Sequence, residues 1–199
     1  MCKRAFDLVV ASLALLLLAP VFVLIAIAIK LDSPGPVFFR QERVGRHGVP
    51  FRIHKFRTMV ADAATRGPQI TVGRDPRITR VGAFLRETKL DELAQLIDVL
   101  QGTMSLVGPR PEVPRYVARY TPEQRAKILS VRPGITDPAS LDYRRESELL
   151  ARAPDPERAY VEEIMPAKLR QAERYVEQAT VWTDVRVLAR TLRLLLFRA

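Results

Sequence analysis

The sequence predicts a mostly α-helical protein with one small β-hairpin, an α+β fold, held at a membrane by its N-terminal helix. Three observations predict this: an uncharged apolar run near the N-terminus, two short strand-like stretches joined by a four-residue turn, and helical periodicity over much of the remainder. With 199 residues, the chain is long enough for one compact core. We expect a membrane helix over residues 1–32 and one domain over residues 33–199.

The composition is strongly basic, with 32 Lys and Arg against 22 Asp and Glu and a net charge of +10. Such a surface attracts the phosphates of nucleotides, nucleic acid or anionic lipid without choosing among them. A single cysteine excludes an internal disulfide, and two histidines without a cysteine cluster argue against zinc. We interpret His47 and His54 as ordinary surface or strand residues. The composition suits a reducing compartment or the cytoplasmic side of a membrane.

The apolar run is the strongest single signal. Residues 8–29 carry no charge, and Ser12 is their only conventionally polar side chain. A straight helix of this length measures about 33 Å, enough to cross a hydrocarbon core of about 30 Å. A signal peptide fits poorly because no small-x-small cleavage site follows, and a buried soluble helix would show a polar stripe. The run therefore predicts membrane contact.

Pro20 lies near the middle of this run and predicts a bend, because it removes one backbone donor and clashes with the preceding turn. Lys3 and Arg4 precede the run, and Lys30 with several arginines follows it. Both flanks therefore favour the cytoplasm under the positive-inside rule. A re-entrant helix broken at Pro20 satisfies both flanks, whereas a simple span satisfies one, so we favour the re-entrant, monotopic arrangement.

The other elements are predicted from periodicity and turn residues. Residues 37–44 and 49–59 form the hairpin, and residues 62–77 a surface loop. Helices are expected at residues 81–87, 91–100 and 122–129, and over most of the chain after residue 156. The last stretch, residues 181–197 followed by Arg198, is basic and amphipathic. It suits a membrane surface, and equally a core-packed helix with a solvated arginine face.

Asp91 and Glu92 begin one of these helices. The apolar positions that follow form the expected buried stripe: Leu93, Leu96, Ile97 and Leu100. At 100° per residue, Asp91 points almost opposite the stripe. Acidic residues suit a helix start, and Thr88 with Asp91 resembles a capping box, so the fragment alone favours a cap.

A catalytic interpretation uses the same physics. A helix start also binds phosphate, and an ionised carboxylate there is a candidate nucleophile toward phosphorus. Attack on a diphosphate needs its charge neutralised by arginines or a divalent cation. Arg86 precedes the acidic pair, and residues 108–111 and 132–134 each place an arginine on a rigid turn.

These segments occur together in an order that resembles the bacterial sugar transferase family, the small monotopic phosphoglycosyl transferases. The resemblance covers nearly the whole chain. It is carried by DPRITRVG at residues 75–82, LDEL at 90–93 and MSLVGPRP at 104–111, and by KFRTM at 55–59 and RPGIT at 132–136.

The resemblance implies a covalent mechanism. Asp91 would attack the β-phosphorus of a UDP-sugar and expel UMP, and polyprenyl phosphate would then take the phospho-sugar from the aspartate. Glu92 would help to bind Mg²⁺, which makes Asp91 and Glu92 the implied metal site. The residues expected around the substrates and their phosphates are Lys55, Arg86, Arg110, Arg132 and Arg144.

The resemblance also implies a location. A re-entrant helix and interfacial amphipathic helices are family traits, which place a catalytic domain on the cytoplasmic face of the bacterial inner membrane. The implied partners are a UDP-sugar, polyprenyl (undecaprenyl) phosphate and membrane lipids, with no nucleic acid. The reaction would be the first membrane step of glycoconjugate assembly. The donor sugar and the choice between monomer and homodimer stay open.

Several positions depart from the family pattern. Ala19 precedes Pro20 where the family commonly has Ser, Ala94 replaces a proline, and Asp98 stands where Asn is frequent. Residues 137–140 read DPAS in place of the usual GLAQ, near the expected sugar. This last change leaves the identity of the donor especially open.

Two rival functions would each explain part of the sequence. A membrane-anchored basic module that binds nucleic acid or anionic lipid would explain the charge, but aromatic residues make up only 7% and are not interleaved with the basic ones. A family member that has kept only a scaffolding role is the second rival. The intact pair of Asp91 and Glu92 argues against both.

Overall fold

A computed structural model describes residues 2–67, 71–73 and 75–197 of the chain. Arg198, expected after the C-terminal basic helix, lies outside the described residues, as do four residues of the predicted loop at 62–77. The described chain is mostly helical with two small sheets. The predicted α+β class with one antiparallel hairpin is therefore confirmed.

The N-terminal helix, α1, runs from Cys2 to Asp32. It is the one described helix that is long and apolar enough to cross a membrane. α1 continues through Pro20, so the predicted break is wrong as an interruption of secondary structure, whereas the bend expected there stays a prediction. Pro20 is exposed, and a missing donor at one position is tolerated when the turns on both sides are held by packing.

One face of α1 packs along its length against the rest of the protein. Ala11, Ile25 and Ile29 are fully buried, and half-buried side chains fill the intervening turns. The opposite face is apolar and exposed: Leu16 and Leu17 are 73% and 76% accessible. Contact between water and an apolar surface of this size is unfavourable, so we expect this face to contact an apolar partner.

Polar contacts hold the N-terminal end of α1. The Lys3 ammonium forms a salt bridge with Asp184 and donates to the Val107 carbonyl at 3.0 Å. Asp7 accepts a hydrogen bond of 2.9 Å from the Ser105 hydroxyl. Asp7 and Asp184 are both buried, so these contacts compensate for carboxylates removed from water.

The C-terminal end of α1 is held in a similar way. The buried Arg57 guanidinium donates to the Ser33 carbonyl at 2.7 Å and also to that of Pro34. The Asp32 carboxylate accepts the Val81 amide at 3.0 Å. Both ends of the apolar helix therefore contact the same globular body.

The hairpin comprises β1, Phe38–Val44, and β2, Pro50–Phe56, paired antiparallel with Phe38 opposite Phe56. Its turn, Arg46–Gly48, passes through a left-handed residue, His47, at φ 57°. A second sheet was not predicted. It pairs β3, Ser105–Val107, in parallel with β4, Gly134–Thr136. Each strand has three residues among Gly and Pro, too few to show an alternating pattern.

The remaining helices surround these sheets. The expected helices near residues 81–87, 122–129 and after 156 are confirmed, whereas α4, α6 and α7 were not predicted. In chain order, the helices are α2 Arg80–Thr88, α3 Leu96–Gln101, α4 Pro114–Val117, α5 Pro122–Ile128, α6 Pro138–Asp142, α7 Glu146–Ala151, α8 Pro156–Ala159, α9 Met165–Gln178 and α10 Val181–Leu196. A π-helical segment, Tyr160–Ile164, joins α8 to α9.

The helix predicted at residues 91–100 differs from the observed structure. Leu90–Gln95 is a 3-10 helix, and only Leu96–Gln101 is α-helical. The predicted buried stripe is wrong at Leu93 and Ile97, which are half-buried, and at Leu100, which is exposed. A 3-10 helix advances about 120° per residue, so it turns different side chains inward. The residues buried instead are Asp91, Ala94, Gln95, Asp98 and Val99.

The salt bridge between Lys3 and Asp184 anchors α1, and its removal tests that anchor. We expect Lys3→Met to lower the stability by about 3 kcal/mol, because it leaves a buried carboxylate without its cation. This corresponds to a decrease of about 6–12 °C in the melting temperature, measured by circular dichroism in detergent. Lys30→Met, at an exposed position near the other end of α1, serves as the control. Equal melting temperatures for the two variants would contradict the anchor.

Candidate active site

The acidic pair lies where two helices meet at a strained residue. Lys89 adopts the left-handed conformation, φ 59° and ψ 16°, after the last residue of α2, and the 3-10 helix with Asp91 and Glu92 follows. The predicted capping box is wrong: the Thr88 hydroxyl donates back to the Phe84 carbonyl within α2. A left-handed lysine costs about 1 kcal/mol or more, a strain that is common at functional sites.

Glu92 is held between two cations. Its Oε1 accepts from Lys55 Nζ at 2.8 Å and from Arg110 Nη2 at 2.5 Å, while its Oε2 accepts from Arg110 Nη1 at 3.2 Å. Lys55 comes from β2, and Arg110 comes from the turn after β3. Three residues that are distant in sequence thus meet in one charged cluster, as the resemblance predicted for a single site.

The charges in this cluster fix the ionisation of Glu92. Burial alone would raise the pKa of Glu92, but the positive charges and hydrogen bonds of Arg110 and Lys55 hold it well below its usual range. The same carboxylate raises the pKa of Arg110. Glu92 is therefore ionised at neutral pH, with both of its oxygens occupied by cations.

Asp91 differs from Glu92 in both its hydrogen bonding and the direction of its pKa shift. The residue is buried, and its Oδ1 has no hydrogen-bond partner among the described residues. Burial raises the pKa of Asp91, against the opposing charges of Lys55, Lys89 and Arg86. Within the pair, Asp91 is thus the carboxylate with an oxygen left uncommitted, surrounded by cations.

Close backbone packing positions Arg110. The Gly108 amide donates to the Thr136 carbonyl at 3.1 Å, and the Gly134 amide to the Pro109 carbonyl at 3.0 Å, so the two arginine-bearing turns form one structure. A Cβ on Gly134 would lie 2.1 Å from the Gly108 nitrogen, which explains why glycine is required there. The Arg110 amide also donates to Asp137 Oδ2 at 2.9 Å.

The other predicted substrate-binding arginines lie in different places. Arg86, in the last turn of α2, acts electrostatically on Asp91. Arg132 instead donates from Nε to the Gly102 carbonyl at 2.7 Å, at the end of α3. Arg144 is half-buried in the turn between α6 and α7. Contacts of these three side chains with substrate stay predictions.

Sequence reasoning missed the supporting role of two aspartates. Asp137, noted only as a departure from the family, both holds the Arg110 amide and caps α6 through the Ser140 amide. Asp98 accepts from His54 twice, at 2.8 Å from the amide and 2.7 Å from Nδ1, and so joins β2 to α3. His54 is a strand residue as expected, but it is buried and paired.

The donor set can be compared with the needs of Mg²⁺, which binds one or two carboxylates together with substrate phosphates. Oδ1 of Asp91, which has no partner within the described ranges, suits the role of such a carboxylate ligand. Glu92 would have to share oxygens that already accept from Lys55 and Arg110. Over the described ranges, no three His, Cys, Asp or Glu side chains converge on one point. The residues therefore fit a cation held jointly by Asp91 and by the phosphates of a ligand.

Residues 1–198 match the bacterial sugar transferase family, and the chain belongs to that family. This membership confirms the resemblance that the segments around Asp91, Arg110 and Arg132 indicated. The match covers every secondary-structure element described above and every residue of the charged cluster.

Three curated relatives share 36–40% identity with the chain. The UDP-glucose:undecaprenyl-phosphate glucose-1-phosphate transferase of Escherichia coli (strain K12) is 40% identical over 93% of this chain and 38% of its own length. The protein of the same name from Caulobacter vibrioides is 38% identical over 98% of this chain and 69% of its own.

The third relative carries a different donor in its name. It is the UDP-N-acetylgalactosamine-undecaprenyl-phosphate N-acetylgalactosaminephosphotransferase of Aeromonas hydrophila, 36% identical over 98% of this chain and 43% of its own length. The chain thus spans less than half of the Escherichia coli and Aeromonas relatives. Relatives of similar identity act on different sugars, so identity does not select the donor.

The buried Asp91 carboxylate lowers the stability of the folded protein at neutral pH. Its folded-state pKa is raised, so its contribution to stability is most favourable below the unfolded pKa of about 3.9 and is lost as pH rises through the folded pKa. We expect Asp91→Asn to raise the stability at pH 7 by about 1 kcal/mol, or about 2–4 °C in melting temperature. The gain should shrink toward zero near pH 4.

Thermal melts of both proteins between pH 4 and 8 test this prediction. Asp62→Asn, which changes an exposed carboxylate paired with Arg66, is the control and should show no such pH-dependent gain. A destabilised Asp91→Asn at pH 7 would mean that the charged carboxylate is stabilised by its surroundings, contrary to the account.

Proposed function

We propose that this protein transfers a sugar 1-phosphate from a UDP-sugar to undecaprenyl phosphate through a covalent intermediate on Asp91. The observation that carries the proposal is the contrast within the acidic pair: Glu92 is neutralised by Lys55 and Arg110, while Asp91 keeps a buried oxygen that has no partner among the residues that the structure describes. The names of the relatives supply the reaction class, a transfer to undecaprenyl phosphate from a UDP-sugar.

The first step is a displacement at the β-phosphorus of the donor. A carboxylate oxygen of Asp91 forms a bond to this phosphorus, the bond from phosphorus to the bridging oxygen breaks, and UMP leaves with that oxygen. The raised pKa of Asp91 makes the ionised carboxylate a more basic nucleophile than an exposed aspartate. Positive charge from Lys55, Lys89 and Arg86 already acts at this carboxylate and would lower the barrier to approach of an anionic diphosphate.

The second step regenerates the enzyme. A phosphate oxygen of undecaprenyl phosphate bonds to the same phosphorus, and the bond to Asp91 breaks, which returns the carboxylate. The products are UMP and an undecaprenyl diphosphate sugar. Arg110 stays fixed by Glu92 and Asp137 throughout, so its charge is held in place without reorganisation.

Asp91 and the donor phosphates would hold Mg²⁺, and the chemistry that the ion would supply is neutralisation of the diphosphate charge. The protein's own contribution is to present the Asp91 oxygen in a dry site and to keep Glu92 ionised. Burial of Asp91 together with the charges of Lys55 and Arg110 provides both.

The membrane arrangement supports the same proposal. Because both ends of α1 contact one globular body, we infer that both lie on one side of the bilayer and that the helix enters a single leaflet. The exposed apolar face of α1 would then contact lipid, with the body on the cytoplasmic face of the inner membrane. A lipid-linked acceptor and a water-soluble donor meet only at this depth.

The reaction itself is tested by release of UMP. The purified chain in detergent, with Mg²⁺ and undecaprenyl phosphate, should release UMP from at least one member of a panel of UDP-sugars that includes UDP-glucose and UDP-N-acetylgalactosamine. Asp91→Asn should reduce the rate by at least about 1,000-fold, because no second carboxylate replaces the nucleophile. Release is followed by a coupled assay or by chromatography.

Asp62→Asn is the matched control and should retain the wild-type rate. An active Asp91→Asn variant would refute the assigned nucleophile. Absence of UMP from every donor in the panel would favour a binding or scaffolding role.

The topology of α1 is tested with the natural cysteine. Cys2 is exposed at one end of the helix, and Leu31→Cys in a Cys2→Ser background supplies the other end, at a position that is 83% accessible. In inverted inner-membrane vesicles, both should react with an impermeant maleimide, whereas Leu17→Cys in the same background should be protected until detergent is added. Labelling of the two ends from opposite sides would establish a simple span instead.

A further inference from the structure

A cavity of about 310 Å³ lies between α9 and α10, outside the charged cluster of Asp91 and Glu92. This volume is at the lower end of the range for small-ligand sites. Its lining combines apolar surface with charged and polar groups from three helices: Pro138, Gln171, Arg174, Tyr175, Gln178, Thr183, Arg186 and Val187.

Three polar groups of this lining have no partner within the described part of the chain, whereas Tyr175 and Thr183 are hydrogen-bonded. Neither Arg174 nor Arg186 forms a salt bridge or a hydrogen bond within the described part of the chain, although many other arginines of the protein do. Among the described residues, Gln171 Oε1 is buried and has no donor. Two unpaired cations and one unpaired acceptor thus belong to the lining of a space that would suit an anion carrying a hydroxyl group.

The position of the cavity relative to the membrane helix is fixed by a shared carboxylate. Tyr175, which lines the cavity, donates to Asp184 Oδ1 at 2.6 Å. The other oxygen of Asp184 binds Lys3, at the start of α1. The cavity wall therefore lies two side-chain contacts from the point where the apolar helix begins, and the membrane arrangement proposed above, on which this step rests, puts that point at the depth of lipid headgroups.

The outer surface of α10 continues from the cavity to an apolar strip. At 100° per residue, Trp182, Val185 and Leu192 lie within about 80° of one another, and all three are exposed. Arg193 and Arg186 border this strip, at about 20° and 40° from Trp182, and Thr183 follows further round toward the cavity. The order around the helix is therefore apolar, cationic, then polar, which matches the order of acyl chain, phosphate and headgroup in a phospholipid.

We propose that this cavity binds the headgroup of an anionic glycerophospholipid of the phosphatidylglycerol class. The phosphodiester would lie between Arg174 and Arg186, a headgroup hydroxyl would donate to Gln171, and the acyl chains would follow the apolar strip of α10. An ethanolamine headgroup would bring a third cation to the two arginines, and a choline headgroup has no donor for Gln171. The site is separate from the proposed reaction and needs neither sugar nucleotide nor Mg²⁺.

Trp182 is the only tryptophan of the chain and belongs to the exposed apolar strip, so quenching of its fluorescence reports acyl chains bound on that strip. The intact chain in neutral detergent is titrated with phosphatidylglycerol, phosphatidylethanolamine or phosphatidylcholine, each brominated on its acyl chains, and quenching of Trp182 is recorded. We expect saturable quenching by phosphatidylglycerol, with half-saturation at about a tenfold lower mole fraction than for the other two lipids. Equal quenching by all three lipids would overturn the proposal.

Matched variants separate the cavity from general surface charge. Arg174→Gln and Arg186→Gln should each raise the half-saturation for phosphatidylglycerol by about fivefold or more. Their controls are Arg170→Gln, one turn earlier on α9, and Arg193→Gln, about two turns later on α10, which do not line the cavity. If the controls weaken binding as much as the cavity variants, the preference arises from the whole basic surface and the site is refuted.

Two further arms test the hydroxyl and the source of the phosphate. The wild type should prefer phosphatidylglycerol over phosphatidylmethanol, which lacks hydroxyl groups, and Gln171→Leu should abolish this preference. Absence of a preference in the wild type refutes the role of Gln171. Glycerophosphoglycerol should compete at least 100-fold less effectively than the intact lipid, and competition at equal concentration would make the ligand a soluble phosphodiester instead.

Discussion

The arrangement of the candidate active site depends on two cations that bind Glu92. Lys55 from the hairpin and Arg110 from the turn after β3 both bind this carboxylate, which joins three parts of the chain at one point. A buried glutamate without these partners would become protonated or disrupt the site. With them, Glu92 is ionised and its oxygens are occupied, so Asp91 next to it is the carboxylate with an uncommitted oxygen. Two adjacent acids thus acquire different chemistry from their surroundings alone.

Hydrogen bonds and a salt bridge also connect α1 to the body that carries the acidic pair. Arg57, three positions after His54 in the β2 region, holds the carbonyls that follow α1, and Asp32 at the end of α1 holds the start of α2, whose last residue precedes Lys89. At the other end, Lys3 and Asp184 join α1 to α10. Polar contacts at both ends of α1 therefore hold the apolar helix against the body that carries the acidic pair. Exposed salt bridges elsewhere contribute much less to this geometry.

Much of the fold was predictable because its signals are local. The apolar run, the hairpin and α2 follow from composition, turn residues and periodicity, and the motifs indicated Asp91, Glu92 and Arg110. The failures have a common cause in long-range structure. The left-handed Lys89 and the 3-10 helix after it replaced a predicted capped α-helix, and the short strands β3 and β4 exist only because they pair with each other. The direction of Arg132, toward Gly102, and the role of Asp137 likewise depend on neighbours far away in sequence.

The central claim is that Asp91 becomes bonded to phosphorus. Its most direct test is intact-protein mass spectrometry after incubation with an accepted UDP-sugar and Mg²⁺, without undecaprenyl phosphate, followed by peptide mapping. The account predicts an added mass equal to one sugar phosphate, located on the peptide that contains Asp91 and removed when undecaprenyl phosphate is supplied. An adduct on Glu92 or another residue, or UMP release that requires the acceptor and leaves no adduct, would contradict it.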